Sequence, residues 1–298
     1  MIPRALSPGR PPHRLRLLSL ALAAGLLVAL ALAPTALADF LTPESGGSPN
    51  ADKIDSLYKI TLAVGIVIFL AVEGVLVWTL IKYRARRGGP KEGAQIHGNT
   101  RLEVGWTVGA AVIVVVLAVV TFVYLPDIEN PPASGPDGLA VGVEVASIDQ
   151  PAPPAGSSEA LTIDVNGEQY LWRYDYPGGA FSYYEMVVPT NTTVVLNLTA
   201  TDVIHSWWIP KLGGKMDAVP GFVNKTWFKI SKPGLYSGQC AELCGSGHAD
   251  MRARVRAVSP DEYLAFLERQ QADFEASQEA LAEQREQREA VADETELQ

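Results

Sequence analysis

The chain has 298 residues, enough for one or two domains, and 48% of them are hydrophobic, an ordinary share whose uneven distribution carries the information. Formal net charge is −9 and is localised: from Asp261 onward there are 12 acids and 3 bases, while the rest of the chain balances at 21 against 21. An acid excess held in a solvated tail leaves no basic footprint and excludes a nucleic-acid role.

In chain order, the first apolar run, Leu17 to Ala33, follows Arg4, Arg10, Arg14 and Arg16 and ends in the small-residue stretch TALA before Asp39. This pattern predicts a secretory signal peptide over residues 1–38, cleaved after Ala38, with an uncleaved anchor as the alternative because the run is long for a signal. After an outer segment, 39–59, two further runs follow at 60–81 and 104–125. Each is close to the ~20 apolar residues that cross a bilayer core, so both are predicted to span. The loop between them, 82–103, carries Lys82, Arg84, Arg86, Arg87, Lys91 and Arg101. Its basic bias places it in the cytoplasm and everything after Leu125 outside. Glu73 lies inside the first span, where a carboxylate is expensive unless it faces protein or water, and contact with a partner helix is expected. Glu103 opens the second span, where a helix N-terminus favours an acid.

Residues 126–260 read as an outer domain. Pro126, Pro131, Pro132 and Pro136 predict a non-helical exit from the membrane, and DQPAPPAGSSEA, 149–160, a surface loop. Short segments rich in β-branched and aromatic residues follow: LTIDVNG, QYLWRYDY, FSYYEMVV, TTVVLNLTA, KTWFKI, GLYSGQC and MRARVRAV. Their spacing and turn signals argue an antiparallel sandwich or barrel. Asp127 to Pro260 holds 14 acids and 9 bases, which favours a basic partner. Ser259 as N-cap and Pro260 at the first helical position then start a helix, within an acidic helix or tail over 261–298.

The chemistry concentrates in GQCAELCGSGHADM, which holds both cysteines of the chain. Cys240, Cys244, His248 and Met251 are spaced C-x3-C-x3-H-x2-M on a loop broken by Gly245 and Gly247, and His205 sits upstream in TDVIHSWWIP, at the end of a strand pattern. Two thiols, two imidazoles and a thioether form a soft set that suits copper better than hard cations. Rival uses of these residues are a small-loop disulfide between Cys240 and Cys244, a closed zinc site of His205, Cys240, Cys244 and His248, and a mononuclear copper site with one cysteine surplus. Two bridging thiolates with one histidine on each metal would instead hold two coppers.

These residues resemble a known family. GQCAELCGSGHADM is similar to the dinuclear copper motif of cytochrome c oxidase subunit II, and DVIHSWWIP to its upstream ligand segment; HGNTRLEVGWT, DAVPG and KPGLYSGQC also fit in order, so the resemblance covers Ile60 to about Pro260. It implies an α+β membrane protein: a two-helix transmembrane hairpin, an all-β cupredoxin domain of Greek-key sandwich type, and a C-terminal helical or disordered tail. It implies dinuclear copper A held by the side chains of His205, Cys240, Cys244, His248 and Met251 and the carbonyl of Glu242, whose side chain would reach a magnesium shared with subunit I. The implied activity is to accept electrons from cytochrome c, soluble or membrane-bound, and pass them to haem in subunit I, where oxygen is reduced and protons are pumped. Partners would be subunit I and other oxidase subunits, and the setting the plasma membrane of a bacterium with the copper domain outside.

One departure concerns electron uptake. The family's Q-W-x-W stretch here reads Gln169, Tyr170, Leu171, Trp172, so a tyrosine stands at the tryptophan position and Trp172 matches the second aromatic. Both are electron-uptake candidates, against the plainer reading of strand aromatics packing a sheet. Asp175 and Asp202 align with donor-docking acids, and Glu103 with an acid near proton uptake. Rival assignments are the copper subunit of a nitric oxide reductase, the copper domain of nitrous oxide reductase and a membrane-bound copper carrier. This sequence holds no C-x2-C-H, so a c-type haem attached within it is not expected.

Overall fold

The computed structural model describes residues 42–84, 95–139 and 160–296, with side chains to 289. The expected signal peptide, most of the basic loop and the Pro/Gly/Ser loop before Ala160 lie outside them. Glu44 to Gln298 forms one compact unit.

Two long helices come first, α1 (Pro49–Lys82) and α2 (Thr100–Glu129). No residue of their apolar stretches is fully buried, and apart from a half-buried seam where the two helices meet these stretches are exposed, as lipid-facing helices are. Pro49 starts α1 at its first position, where a missing N–H is harmless. At the start of α2, the Asn99 side chain accepts from the Leu102 N–H, and Glu103 Oε1 accepts from the Asn99 N–H at 3.1 Å. Glu103 thus serves as a helix cap in this chain.

Both helices outrun the sequence-based spans. At about 1.5 Å per residue, 34 residues make α1 about 50 Å long, well beyond a ~30 Å hydrocarbon core. Its first turns are buried against the outer domain at Asn50, Ala51 and Asp55. Asn50 Nδ2 donates to the Trp227 carbonyl (2.8 Å), the Lys229 N–H donates to Ser48 Oγ (3.1 Å), and Trp227 Nε1 donates to the Ile128 carbonyl of α2 (2.9 Å). The anchor is therefore bonded to the domain it carries. The expected non-helical exit at Pro126 is corrected: Pro126 lies inside α2, which runs on to Glu129 and closes with the Asn130 N–H donating to the Pro126 carbonyl.

The outer domain is a sandwich of two five-stranded sheets. The strands are β1 (Leu161–Glu168), β2 (Leu171–Asp175), β3 (Phe181–Tyr183), β4 (Glu185–Pro189), β5 (Thr193–Ala200), β6 (His205–Trp208), β7 (Met216–Ala218), β8 (Asn224–Lys229), β9 (Gly234–Cys240) and β10 (Arg252–Val258). One sheet runs β3-β2-β1-β5-β8 and the other β4-β10-β9-β6-β7. The expectation of an antiparallel sandwich needs correction, because β1 pairs with β5 and β10 with β4 in parallel. FSYYEMVV is two strands rather than one: at Tyr184 (φ 65°) the chain leaves the first sheet, lays β4 in the second, and returns to the first as β5. That crossing makes the two pairings parallel.

Alternating burial in β1 and β10 sends Leu161, Ile163 and Val165 toward Ala253, Val255 and Ala257 across a core filled by Trp172, Tyr174, Phe228, Met186 and Leu196. Helix α3 (Pro260–Glu296) begins with the Ser259 side chain and N–H both bonded to Glu262 Oε2, and the Glu262 N–H bonded back to Ser259 Oγ. Tyr263 and Phe266 pack on Tyr176, and Phe274 on Phe181. Beyond that contact α3 is exposed to Glu289, where a charged, weakly apolar sequence requires no packing.

Candidate metal centre

The ligand candidates come from two neighbouring strands and the loop after one of them. Trp207 of β6 pairs with Cys240 of β9, which sets Cys240 at the strand end two residues along from His205. The Cys240 N–H donates to the Met251 carbonyl at 2.9 Å and the Ala241 N–H to the Ser206 carbonyl at 2.8 Å, so the loop's two ends and β6 are tied by backbone bonds. Between those ends, a short 3-10 turn over His248–Asp250 returns the chain to β10. His205 opens β6 rather than ending a strand, a correction that places its side chain at the sheet's rim beside the loop.

Six groups converge. Cys240 Sγ lies 4.0 Å from Cys244 Sγ, 3.9 Å from His205 Nδ1 and 3.3 Å from the Glu242 carbonyl. Cys244 Sγ lies 3.5 Å from His248 Nδ1 and 3.9 Å from Met251 Sδ. Each sulfur thus faces one imidazole and one further ligand atom. Both cysteines are free thiols, about twice a disulfide bond length apart, so the disulfide alternative is not formed. His205 and Met251 are wholly buried, and Cys240 and Cys244 nearly so. Burial, with the Cys240 thiol alongside, pushes the Cys244 thiol up to about 11. Two buried thiols side by side hold their protons tightly while no metal is bound, so a soft cation that takes the thiolates as ligands must displace those protons.

Around this cluster the chain fixes orientation. His205 Nε2 lies 2.9 Å from Asp202 Oδ1, which assigns its proton to Nε2 and leaves the Nδ1 lone pair toward Cys240. Asp202 also accepts from the Val203 and Gln169 N–H groups at 2.6 and 2.7 Å. Burial opposes its charge, but the His205, Val203 and Gln169 hydrogen bonds outweigh it and hold the carboxyl below its usual range. Docking was the expected role of Asp202; the structure sets it against the His205 ring. If the cluster holds a metal, replacing Asp202 by Ala is expected to weaken that binding by about 10- to 100-fold, the usual effect of losing such a partner, as measured by competition with a chelator.

Of the two aromatics, Trp172 is wholly buried, with its ring edge-on to His205 at 5.9 Å between centroids. It supports the His205 ring from within the core. Trp172→Ala should therefore destabilise the domain by about 3–5 kcal/mol in denaturant unfolding, the cost of emptying a large aromatic site. Tyr170 is only half-buried and lies over the ligand loop: its hydroxyl is 3.3 Å from Ser246 Oγ, and a side-chain carbon at Gly247 would come within 2.5 Å of its ring. Gln169 secures the same loop from beside it, Nε2 donating to the Cys244 carbonyl at 2.5 Å. Sequence reasoning missed Gln169, Ser246 and the tie between Asp202 and His205. An acid three residues before a ligand histidine was the available signal.

The remaining candidates are dispersed. Asp175 is held bidentate by Arg173, which neutralises it. The Glu242 side chain is exposed beside the loop, and Glu103 stays at the start of α2.

Comparison with known proteins agrees in both halves. The sequence profile of the cytochrome c oxidase subunit II transmembrane domain matches residues 39–123, and that of its periplasmic domain residues 181–258. Cytochrome c oxidase subunit 2 of Synechocystis is 35% identical over 244 residues, which cover 72% of each chain. The chain belongs to the cytochrome c oxidase subunit II family. Its counterpart in Alkalihalophilus pseudofirmus is 34% identical over 245 residues, 82% of this chain and 66% of that one. The solved periplasmic domain of subunit II of cytochrome oxidase from Bradyrhizobium japonicum is 38% identical, with a TM-score of 0.38 over 38% of this chain and 95% of that domain. Subunit II proteins belong to an oxidoreductase complex of haem-copper type and associate with its other subunits. In this member the two apolar helices supply a membrane anchor, and the sandwich carries a His-Cys-Cys cluster suited to copper.

Proposed function

We propose that this chain is the electron-accepting subunit of its oxidase, with copper A held by His205, Cys240, Cys244, His248, Met251 and the Glu242 carbonyl, and with its outer domain on the extracytoplasmic face of a bacterial plasma membrane. The observation that carries this is the convergence of six soft or neutral ligand groups, with each buried sulfur facing a separate imidazole nitrogen. When bound, two copper ions would supply reversible one-electron redox chemistry at potentials open to a c-type cytochrome.

The chain's own residues do the rest. Asp202 keeps the His205 proton on Nε2, and Trp172 blocks rotation of that ring. The backbone bonds from Cys240 to Met251 and from Ala241 to Ser206 hold opposite sides of the centre in one frame, so the ligands need move little between oxidation states. Near-complete burial of Cys240 and Met251 excludes water and favours retention of the metal over its exchange, which separates this reading from a copper carrier. Tyr170, on the surface side of the loop, is the aromatic that a docked donor would meet, while Trp172 lies beneath it. The exposed Glu242 side chain is free to ligate magnesium at a boundary with subunit I.

Met251→Leu tests the ligand set. Exchange of these two similar volumes should cost under about 1.5 kcal/mol of stability, while the potential and optical spectrum of the copper-loaded protein shift. Unchanged spectra would remove the thioether from the site.

A further inference from the structure

Glu73 is the only charged residue in either membrane run. It lies 13 residues past Ile60 and 8 before Ile81, which at about 1.5 Å per residue is roughly 4 Å from the midpoint of that run. The contact between α1 and α2 runs up from the Lys53–Asp127 ion pair along half-buried Leu57, Ile60 and Val64 on one helix and Leu117, Val120 and Tyr124 on the other. Nine residues past Val64, at about 100° per residue, Glu73 is turned roughly 180° from that seam. It is exposed, and among the described residues it makes no hydrogen bond or ion pair. The same face carries Phe69, Leu76 and Leu80, all exposed, and is bordered by Gly65, around which this chain leaves open space.

A carboxyl at that depth is expensive in hydrocarbon and is retained where protein offers it a polar partner. Nothing in α2 can do so, because α2 lies on the other side of α1. We propose that the face of α1 centred on Glu73 seats a membrane helix of a partner oxidase subunit, which presents a hydrogen-bond donor or a cation to the carboxyl near mid-bilayer. Complementarity selects this occupant. Lipid tails offer no donor, and a second copy docked by the same face would bring one Glu73 against another. Open backbone at Gly65 allows the close approach that helix pairs use in membranes. The inference rests on the chain's place as a subunit of an oxidase.

The test uses the full chain, tagged and co-expressed with its oxidase partners in membranes. A photoreactive phenylalanine analogue at position 69, on the proposed face, should yield several-fold more adduct with a partner subunit than the same analogue at position 75, on the seam side. Glu73→Leu should lower recovery of that partner on the tagged chain after detergent extraction, and Glu73→Gln, which keeps hydrogen bonding, should retain most of it. Adducts with lipid alone or with a second copy, equal yields from both positions, or undiminished recovery with Glu73→Leu would overturn the assignment. The copper signal of the outer domain is read in every sample. Its absence from all of them, wild type included, would count against the copper reading and leave the helix contact to be judged on the adducts.

Discussion

Replacing Cys244 by Ser is expected to leave the sandwich folded and to cut the copper held from two ions per chain to at most one. Serine nearly matches cysteine in volume, and the strand bonds that position the loop, Cys240 N–H to Met251 carbonyl and Ala241 N–H to Ser206 carbonyl, are untouched. What disappears is the sulfur that faces Cys240, His248 and Met251 together. A hydroxyl is a harder donor with a far higher pKa and does not bridge two soft ions. His205 and Cys240 would remain as half a site. Metal analysis after dialysis, alongside a thermal melt, checks both halves of the expectation. Two retained coppers in the variant would show that Cys244 is not a bridge.

The second large effect falls on Gly238→Ala, a position with no ligand role. Gly238 lies in β9 against the backbone of β6, so close that a side-chain carbon would sit 1.9 Å from the Trp208 carbonyl oxygen and 2.7 Å from Ile209 Cα. Neither neighbour is a side chain that can swing away. The strands must part, and overpacking of this kind costs about 3 kcal/mol or more. Because β6 carries His205 and β9 carries Cys240, parting them also separates the ligands. Denaturant unfolding should therefore show a lower midpoint, and the remaining folded protein should hold less copper. Wild-type stability with full copper would mean that the two strands approach less closely than described.

The candidate metal ligands and the apolar membrane runs were readable in the sequence because their chemistry is local. Cys240, Cys244, His248 and Met251 stand within one loop, and an apolar run of membrane length needs no tertiary information to be recognised. His205 needed only its strand and the resemblance of its surroundings. What the sequence hid depends on partners far along the chain. Helix α1 starts at Pro49 because Asn50 bonds to Trp227 and Ser48 to Lys229, contacts no window of residues can display. FSYYEMVV has the aromatic and β-branched content of one strand, yet Tyr184 turns it into two that belong to different sheets, and the parallel pairings follow from that turn. Trp172 and Tyr170 look alike as strand aromatics two positions apart, but one faces the core behind His205 and the other the loop surface. Asp202 resembled a surface acid, and only the fold reveals that it holds a ligand's proton.

The central claim, that both thiols serve one centre of two copper ions, is tested most directly by metal analysis and electron paramagnetic resonance on the full chain, expressed without its partner subunits and loaded with copper. The account predicts two coppers per chain and a hyperfine pattern from one unpaired electron shared by two copper nuclei. A single copper with a one-nucleus pattern, or tightly held zinc without a signal, would contradict it.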